Sequence, residues 1–478
     1  MKKPGLGTLG LLMIGLLSVW SFFGQHAPIA WPQPSEQALL SAAVTVLVYV
    51  LACTALLWRR RAKPAAPAAG EGALLVVYAS QTGHAEQLAQ HSADALRAAG
   101  QSVELLPLGA LDAARLRRHD RMLFVISTTG EGDAPDNAFR FLARMTEQHP
   151  LPTLRYGVLA LGDRRYQHYC GFGHAVASWL RQQGAQALFE TIEVNDGDAA
   201  ALKQWQQQLG QLAGNAVIGS WAQAEFPRWR LVERRQLNPG SVGGPVHHLA
   251  FEPVSALPAW QAGDIAEVRL PQRDAAEPVQ QRDYSIASLP TDGRLELLVR
   301  EQRDAEGRLG RGSGWLCVQA VIGEEIAMQV RSNRSFHLPD DNRPLILIGN
   351  GTGLAGLRAL LKARAAAGQH RNWLLYGERN AAHDQVYGGE LADWQQAGVL
   401  TRVDFAWSRD QPERIYVQQR LQQAADLLRS WVAEGAAIYV CGGAQDMAPA
   451  VEQVLLAELG AETLQTLRET GRYRRDVY

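Results

Sequence analysis

The sequence predicts an α/β protein in which two domains with parallel sheets flank an antiparallel β-barrel, behind an N-terminal transmembrane helical hairpin. Apolar strands alternate with helical patterns in residues 71–215 and again in residues 341–478, which is typical of parallel sheets with helical crossovers. Between them, residues 225–340 carry short strands separated by Pro and Gly, which favours an antiparallel barrel. Two apolar runs without a charge, residues 5–24 and 38–58, precede these domains.

The two apolar runs predict a membrane hairpin within residues 1–70, which end in a Pro/Ala linker. Each run is about 20 residues long, enough for a helix that crosses a hydrocarbon core of about 30 Å. Lys2 and Lys3 precede the first run and "RRRAK" follows the second, so the positive-inside rule puts both flanks in the cytoplasm. The first run could instead be a cleaved signal peptide. We expect a multi-pass protein of a bacterial-type inner membrane, with its catalytic domains in the cytoplasm.

The composition excludes other classes of function. The chain has 47 Lys and Arg against 48 Asp and Glu in 478 residues, so it lacks the basic excess of a nucleic-acid-binding protein. Its four cysteines, Cys53, Cys170, Cys317 and Cys441, form no CxxC pair. The sequence therefore predicts neither a disulfide framework nor a metal site.

A polar turn follows the first predicted strand of residues 71–215. The turn "SQTG" (80–83) stands between the strand "ALLVVYAS" and a helix, where backbone N–H groups and the helix dipole favour an anion. The hydroxyls of Ser80 and Thr82 can add donors. Taken alone, the turn is equally consistent with an ordinary strand–helix turn capped by Thr.

Two more polar loops follow the next apolar strands. The loop "STTGEGD" begins at residue 127, and "LGDRRYQHYC" ends at residue 170. Ligands of open α/β sheets bind at the carboxyl ends of the strands. Three such loops on one edge suit a phosphate-bearing planar ring, on which Tyr166 or Tyr169 could stack.

In order and spacing, the three loops resemble the flavodoxin-type FMN domain of diflavin reductases. The resemblance implies FMN as a cofactor, with Tyr166 as the stacking aromatic. Thr129 stands where some relatives carry a second stacking aromatic, and His84 replaces the commoner Asn or Thr. The implied FMN contacts are Ser80, Gln81, Thr82, Gly83, His84, Ala85, Ser127, Thr128, Thr129, Gly130, Leu161, Gly162, Asp163, Arg164, Arg165, Tyr166, Gln167, His168, Tyr169 and Cys170.

The predicted barrel carries two further motifs. In "RDYSIAS", strand alternation places Arg282 and Tyr284 on one face, and Asp283 and Ser285 on the other. An Arg there could bind a pyrophosphate through charge-assisted hydrogen bonds. The Gly-rich turn "GRGSGWL" (310–316) follows. Each motif alone could be no more than a polar strand edge or a turn.

Together the two motifs resemble the FAD-binding barrel of ferredoxin–NADP reductase relatives, which implies FAD as a second cofactor. The middle motif differs, because "LLV" (297–299) aligns with a Thr-Val-Gly and Arg303 replaces an adenine-side Tyr. The implied FAD contacts are Arg282, Asp283, Tyr284, Ser285, Gly310, Arg311, Gly312, Ser313 and Tyr478.

The last domain opens on a strand, a Gly-rich turn and a helix, "LILIGNGTGLAGLRALL". Glycines in this turn let the backbone approach a pyrophosphate. In "AWSRDQPERIYVQ", Ser408, Arg409 and Arg414 could hold the 2′-phosphate that separates NADP from NAD, although a charged loop would look similar. With Tyr416 and Gln418 beside adenine, the predicted NADPH contacts are Gly349, Gly351, Thr352, Gly353, Ser408, Arg409, Arg414, Tyr416 and Gln418.

From "NWLLYGERN" onward the sequence is similar to sulfite reductase flavoprotein subunits. Gly356, Gly443 and Ala450 depart from a usual Pro, Asp and Asp. Cys441 could be a small buried hydrophobe. The resemblance implies instead that it acts with Ser285 and Asp476 in hydride transfer, and that Tyr478 covers the FAD ring until nicotinamide displaces it. The predicted catalytic residues are Ser285, Cys441, Asp476 and Tyr478.

The resemblance implies an NADPH–haemoprotein reductase-like oxidoreductase, and the two apolar runs, which lie outside the resemblance, add a membrane anchor. Its relatives carry a helical connecting region, for which residues 216–281 leave no room. Electrons would pass from NADPH through FAD and FMN to a one-electron acceptor, either a haemoprotein or a membrane iron or siderophore reductase. The alternatives are a sulfite reductase haemoprotein as acceptor and a flavin redox sensor without turnover. Glu131, Asp133 and Asp136 could dock a basic partner or form an ordinary solvated loop.

Overall fold

The computed structural model describes residues 73–478, except 165, 196, 217, 219–225, 273 and 275–278. The predicted membrane hairpin lies outside the described residues. Within the described ranges, no helix has the length and apolar character needed to cross a membrane. The described residues fall in one compact unit.

The first domain is a parallel sheet with helical crossovers. Its elements are β1 (Leu74–Ala79), α1 (His84–Ala98), β2 (Val103–Pro107), α2 (Ala113–Arg118), β3 (Arg121–Ser127), α3 (Phe139–Met145), β4 (Arg155–Gly162), α4 (Gly171–Gln182), β5 (Gln186–Ala187), β6 (Ile192–Asn195) and α5 (Ala199–Leu212).

The strand order is β2-β1-β3-β4-β5, with β6 also paired to β4. Strand residues alternate between two cores, so that Leu75 and Val77 pack on one face of the sheet and Leu74 and Val76 on the other. Because both faces are covered, the strands are apolar throughout, as the sequence predicts. The connections from β1 and β3 leave in opposite directions, and this switch point opens a crevice at the carboxyl ends of the strands.

The second domain is antiparallel. Its elements are β7 (Arg228–Gln236), β8 (Val246–Pro253), β9 (Ile265–Arg269), β10 (Gln281–Ser285), β11 (Leu295–Arg300), α6 (Arg311–Gly314), a π-helical turn (Trp315–Gln319) and β12 (Glu325–Arg331). The strand order is β10-β9-β12-β7-β8-β11. A bridge between Ile286, next to β10, and Leu297 on β11 joins the two ends of this order. The sheet therefore closes into the predicted barrel around a core that includes Trp229 and Phe251.

The third domain is a parallel sheet. Its elements are β13 (Leu345–Asn350), α7 (Leu354–Ala366), β14 (Asn372–Glu378), α8 (Gly388–Gln396), β15 (Leu400–Trp407), α9 (Val417–Gln423), α10 (Ala425–Ala433), β16 (Ala437–Gly442), α11 (Met447–Leu459), α12 (Ala461–Glu469) and β17 (Tyr473–Val477). The strand order is β15-β14-β13-β16-β17.

The edge strand β17 is not predicted by the sequence, because "YRRDV" has three charges in five residues. It forms because β16 offers a parallel partner, with Cys441 opposite Asp476. The end of the described chain is thus part of a sheet, next to the Gly-rich turn that follows β13.

Candidate active site

Three hydroxyl groups without a protein partner mark the edge of the first sheet. The hydroxyl oxygens of Ser80, Thr128 and Thr129 are buried and have no hydrogen-bond partner. A buried hydroxyl left unpaired costs roughly 1–3 kcal/mol. These loops therefore fit a ligand rich in acceptor oxygens, and the phosphate of FMN is such a group.

The segment that follows the second loop holds the first loop in place through hydrogen bonds. The Ser80 N–H donates to Asn137 Oδ1 at 3.0 Å, and the Asp136 N–H donates to Gln81 Oε1 at 2.8 Å. The Gln81 side chain is thus occupied by protein contacts. Sequence reasoning missed Asn137, although it stands in "GDAPDNA" directly after the loop that was singled out. Ser127 also differs from expectation, because its hydroxyl donates to Ala79 O at 2.9 Å and is not free for a ligand.

The third loop supplies the aromatic rings. Tyr166 is 39% exposed and lines the cleft that contains the other two loops. The ring of Tyr169 is covered by the Arg164 guanidinium, whose carbon lies 5.1 Å from the ring centroid. Tyr166 therefore offers the more accessible stacking surface. Arg165 lies outside the described residues.

The third loop is tied to the second through Glu131. The Gln167 N–H donates to Glu131 Oε2 at 3.1 Å, and His168 Nδ1 lies 2.7 Å from Glu131 O. These contacts assign Glu131, Gln167 and His168 a structural part in holding the loops together.

His84 begins α1 and lines the same cleft. Burial lowers its pKa to about 4, and the positive charge of Arg331 acts in the same direction. Between that pKa and the ordinary value of 6.5, the unfolded chain binds more protons than the folded one, so stability rises with pH. The imidazole is therefore neutral at pH 7.

Replacing His84 by Gln should flatten the loss of stability on acidification. The wild-type protein should lose stability as the pH falls from 6.5 toward 4, because folding then opposes protonation of His84. The melting temperature at half-unit steps of pH would measure this. Equal slopes for the wild type and the variant would contradict the prediction.

The barrel motif has the predicted alternation. A Cβ at Gly312 would lie 2.9 Å from both Arg282 Cγ and the Tyr284 hydroxyl, so the Gly-rich turn packs on the face that carries these two side chains. Asp283 pairs with Arg331, and Ser285 points to the third domain. Arg282, whose side chain packs beside this turn, is a donor that fits a pyrophosphate.

A buried polar group lies where the barrel meets β16 and β17. The Ser285 hydroxyl donates to Asp476 Oδ2 at 2.6 Å, and the Cys441 thiol lies 3.7 Å from the same oxygen. Burial raises the pKa of both Asp476 and Cys441, and for Asp476 the hydrogen bonds from Ser285 and Cys441 act in the opposite direction. The three residues predicted to act in hydride transfer thus form one hydrogen-bonded cluster.

The backbone of Tyr478 is anchored by hydrogen bonds, whereas its side chain is largely exposed. Its N–H donates to Gly442 O, and its carbonyl accepts from the Ala444 N–H, both at 3.0 Å. The hydroxyl donates to Thr352 Oγ1 at 3.3 Å, while the residue is 57% exposed. The ring can therefore swing without disturbing β17.

The Gly-rich turn after β13 lies beside this cluster. Gly351 has a φ of +55°, which favours glycine, and its carbonyl accepts from the Tyr376 hydroxyl at 3.0 Å. Ser408 and Arg409 lie at the carboxyl end of β15, where their N–H groups donate to Glu378 O and Arg379 O. The turn and the 2′-phosphate candidates thus share one edge of the sheet.

Two of the predicted 2′-phosphate contacts approach Tyr416. A hydrogen bond from Arg409 lowers the pKa of Tyr416, and Arg414 acts in the same direction. Both guanidinium groups therefore lie near the Tyr416 hydroxyl. This arrangement fits a phosphate bound beside an aromatic ring.

A single cleft of about 1810 Å³ joins several of these regions. It is lined by the three loops of the first domain, by Arg282 and Asp283 on β10, and by Tyr478. Two flavin sites predicted from separate motifs therefore open onto the same space, which local sequence patterns could not reveal.

Two family models match the chain. The flavodoxin family matches residues 76–206, and the oxidoreductase NAD-binding domain matches residues 347–453. The sulfite reductase (NADPH) flavoprotein alpha-component of Neisseria meningitidis serogroup C is 30% identical over 548 residues, which cover 87% of this chain and 91% of the relative. The chain belongs to the sulfite reductase (NADPH) flavoprotein alpha-component family. This family of diflavin reductases was the one expected from the motifs.

Other members of the sulfite reductase flavoprotein family are equally close. The Vibrio cholerae serotype O1 protein is 29% identical over 543 residues, covering 86% of this chain and 88% of the relative. The Yersinia enterocolitica protein is 28% identical over 550 residues, covering 87% and 91%. These alignments exceed the 478 residues of this chain, so the relatives contain segments without a counterpart here. The prediction of a shortened chain agrees with this.

Membership in the sulfite reductase flavoprotein family establishes the kind of protein. The chain is an NADPH-dependent diflavin oxidoreductase with FMN, FAD and NADPH as cofactors. The unpartnered hydroxyls of the first domain and the glycine turns of the other two fit these groups.

The predicted location in the inner membrane is wrong by this comparison. The chain matches, over most of its length, a family named for a sulfite reductase component rather than for a membrane protein. In the described part of the chain, no helix could span a bilayer. The prediction relied on residues 5–24 and 38–58, which lie outside the described residues.

Proposed function

We propose that this chain passes electrons from NADPH through its two flavins to the haem-bearing partner of a sulfite reductase. The observation that carries the proposal is the alignment with sulfite reductase flavoprotein alpha-components over 86–87% of the chain. The shared cleft supports it, because both flavin sites open onto one space. An alternative acceptor, a membrane iron or siderophore reductase, depended on the membrane location and is not proposed.

We assign the cofactors to the three proposed domains. Residues 71–215 hold FMN through the three loops, residues 225–340 hold FAD through the barrel motifs, and residues 341–478 hold NADPH. When bound, NADPH supplies a hydride, and the two flavins convert this electron pair into single-electron transfers. The contact residues are those predicted from the motifs, except that Gln81, Ser127, Gln167 and His168 serve chiefly to hold the FMN loops together.

We assign separate roles in hydride transfer to Ser285, Asp476 and Cys441. Ser285 orients the Asp476 carboxylate through its 2.6 Å hydrogen bond. The carboxylate would supply negative charge to a nicotinamide ring that becomes positive on giving up its hydride, which is the kind of preorganised electrostatic stabilisation that speeds a reaction. The buried Cys441 thiol, 3.7 Å from the same carboxylate, would help to exclude water.

The surface that meets the acceptor is proposed to be the edge of the first domain that contacts β17 in this structure. Asp136 there pairs with Arg475, with Arg475 Nε 3.0 Å from Asp136 Oδ1. The first domain must therefore move away before a partner can reach this edge, and such domain motions take microseconds to milliseconds. A partner that presents a basic group to Asp136 would replace Arg475.

The acceptor is tested with the full chain loaded with FMN and FAD. Together with a purified sulfite reductase haemoprotein and NADPH, it should produce sulfide from sulfite. Omitting the haemoprotein provides the control. Reduction of an artificial one-electron acceptor without any reduction of the haem would refute this choice of acceptor. Failure to reduce either one would favour the redox-sensor alternative.

Replacing Arg409 by Ala should raise the KM for NADPH about 10-fold and leave the KM for NADH nearly unchanged. The guanidinium next to Tyr416 would form charge-assisted hydrogen bonds with the 2′-phosphate, which NADH lacks. Steady-state kinetics with both coenzymes would measure the difference. Arg402→Ala is a matched control, because Arg402 lies on β15, the strand that ends just before Arg409, and pairs with Asp404. A parallel rise in both KM values would contradict the assignment.

A further inference from the structure

The FMN-phosphate turn, Ser80–Gly83, accepts hydrogen bonds from residues outside its own domain. The contacting segment, residues 331–335, begins at the last residue of β12 in the barrel. Arg331 Nε donates to Thr82 O at 3.0 Å, and the Ser335 hydroxyl donates to Gln81 O at 2.6 Å. Two carbonyls of the turn, those of Gln81 and Thr82, therefore accept hydrogen bonds from another domain.

These contacts determine where the turn's N–H groups point. In a planar trans peptide, the C=O and the N–H point in opposite directions. Holding the carbonyls of Gln81 and Thr82 toward the barrel therefore turns the N–H groups of Thr82 and Gly83 away from it. The unpartnered hydroxyl belongs to Ser80, which lines the same cleft as Thr82 and as His84 at the start of α1, where N–H groups lack intrahelical partners. A carbonyl that accepts a hydrogen bond also polarises its peptide, which strengthens the N–H as a donor.

The two donors, Arg331 and Ser335, are themselves held in place by other contacts. Arg331 is 6% exposed; its Nη1 donates to Glu267 Oε2 at 3.0 Å, and its Nη2 pairs with Asp283. The Ser335 hydroxyl also lies 2.6 Å from Asn333 Oδ1. Gln81 O and Asn333 Oδ1 are thus two acceptors at the same distance from one hydroxyl oxygen, and together they fix the Ser335 side chain beside the turn.

The turn also contacts the third domain and the residue that follows Arg331. Gln81 Nε2 donates to Arg475 O at 2.7 Å, next to Asp476 in β17. Gly83 has a φ of +84°, and a Cβ on it would collide with Ser332 O. The two domains thus meet at the backbone of this turn, which only glycine allows.

We infer that residues 331–335 position the FMN-phosphate turn across the domain boundary, so that docking of the first domain and binding of FMN strengthen each other. Docking orients two N–H groups toward the phosphate before FMN arrives. Linkage is reciprocal, so bound FMN favours docking by the same factor. When the domain moves toward an acceptor, water replaces the two donors and FMN is held less tightly.

The experiment measures FMN affinity in the full chain with FAD bound. Ser335→Ala removes one donor and should raise the Kd for FMN about 5-fold, measured from the fluorescence of free FMN after ultrafiltration. Ser335→Thr retains the hydroxyl and should restore affinity. Arg334→Gln is the matched control, because Arg334 pairs across the same boundary with Glu86 at 3.3 Å without touching the turn. Its Kd should remain within 2-fold of wild type.

An unchanged Kd in Ser335→Ala would overturn the inference, and so would an equal loss in Arg334→Gln. Unaltered FAD content and melting temperature would verify that the variants fold. Reciprocity adds a second measurement, since selective removal of FMN should increase the radius of gyration of the wild-type chain. An unchanged radius would also overturn the inference. None of these readouts involves the acceptor, so they stand apart from the proposed function.

Discussion

Replacing Asp476 by Asn should slow NADPH-dependent flavin reduction about 100-fold and stabilise the folded protein at neutral pH. Asn retains the shape and an oxygen that accepts from Ser285, but it removes the negative charge that the hydride site presents. Loss of one preorganised electrostatic contact typically costs a factor of about 10²–10³. Stopped-flow absorbance of the flavins would measure the rate.

The gain in stability follows from the raised pKa of Asp476. Burial raises this pKa, so the folded state holds the proton more tightly than the unfolded state does. Stability then falls as the pH rises from the unfolded pKa through the folded one. The melting temperature of the variant should therefore be higher than that of the wild type. This difference should be larger at pH 7.5 than at pH 4.

Asp264→Asn is the matched control for the effect on stability. Asp264 is also buried, and burial raises its pKa, but hydrogen bonds from His337 and from the N–H groups of Gln261 and Asn333 lower the pKa overall. The same substitution there should destabilise the protein at neutral pH. A lower melting temperature in Asp476→Asn, or a wild-type rate of flavin reduction, would contradict the assignment of Asp476.

Replacing Tyr478 by Ala should raise the kcat with NADH about 100-fold relative to the kcat with NADPH. We expect the ring to cover the flavin, and uncovering a buried aromatic ring costs roughly 2–3 kcal/mol. Binding of the 2′-phosphate offsets this cost for NADPH, whereas NADH lacks that contact. Removing the ring should therefore accelerate chiefly the reaction with NADH, as steady-state kinetics at saturating coenzyme would measure.

Tyr478→Phe separates the ring from its hydroxyl. Phe retains the covering surface and loses only the 3.3 Å hydrogen bond to Thr352, so its coenzyme preference should match the wild type. If Tyr478→Ala also retained the wild-type ratio, the residue would not act as a gate.

The motifs that sequence patterns predict well are those built by neighbouring residues. The loops after β1, β3 and β4, the alternation of Arg282 and Tyr284, and the Gly-rich turn after β13 depend on strand–turn–helix spacing alone. The order of these motifs also predicted the family, which the comparisons confirm. The location in the membrane was wrong, because it was inferred from apolar length without the rest of the chain.

The contacts that sequence patterns missed join distant parts of the chain. Gln81 and Arg475 are 394 positions apart, and Arg331 and Thr82 are 249 apart. Single arginines and serines in loops have no periodic signal that would single them out. Strand β17 was missed for a similar reason, since the partners of its three charges are distant in the sequence. Arg475 pairs with Asp136 and Glu452, Arg474 donates to His337 O, and Asp476 accepts from Ser285.

By itself the sequence determined the cofactor chemistry of this protein. Phosphate-binding turns, stacking aromatic residues and glycines that let a ligand approach the backbone are local features with fixed spacing. Only the tertiary structure decided how the sites relate. It placed Ser285, 191 positions away, within 2.6 Å of Asp476, and it brought the FMN-phosphate turn against residues 331–335. Such contacts depend on how three separately folded sheets pack, and packing is set by the summed burial of many side chains rather than by any short pattern.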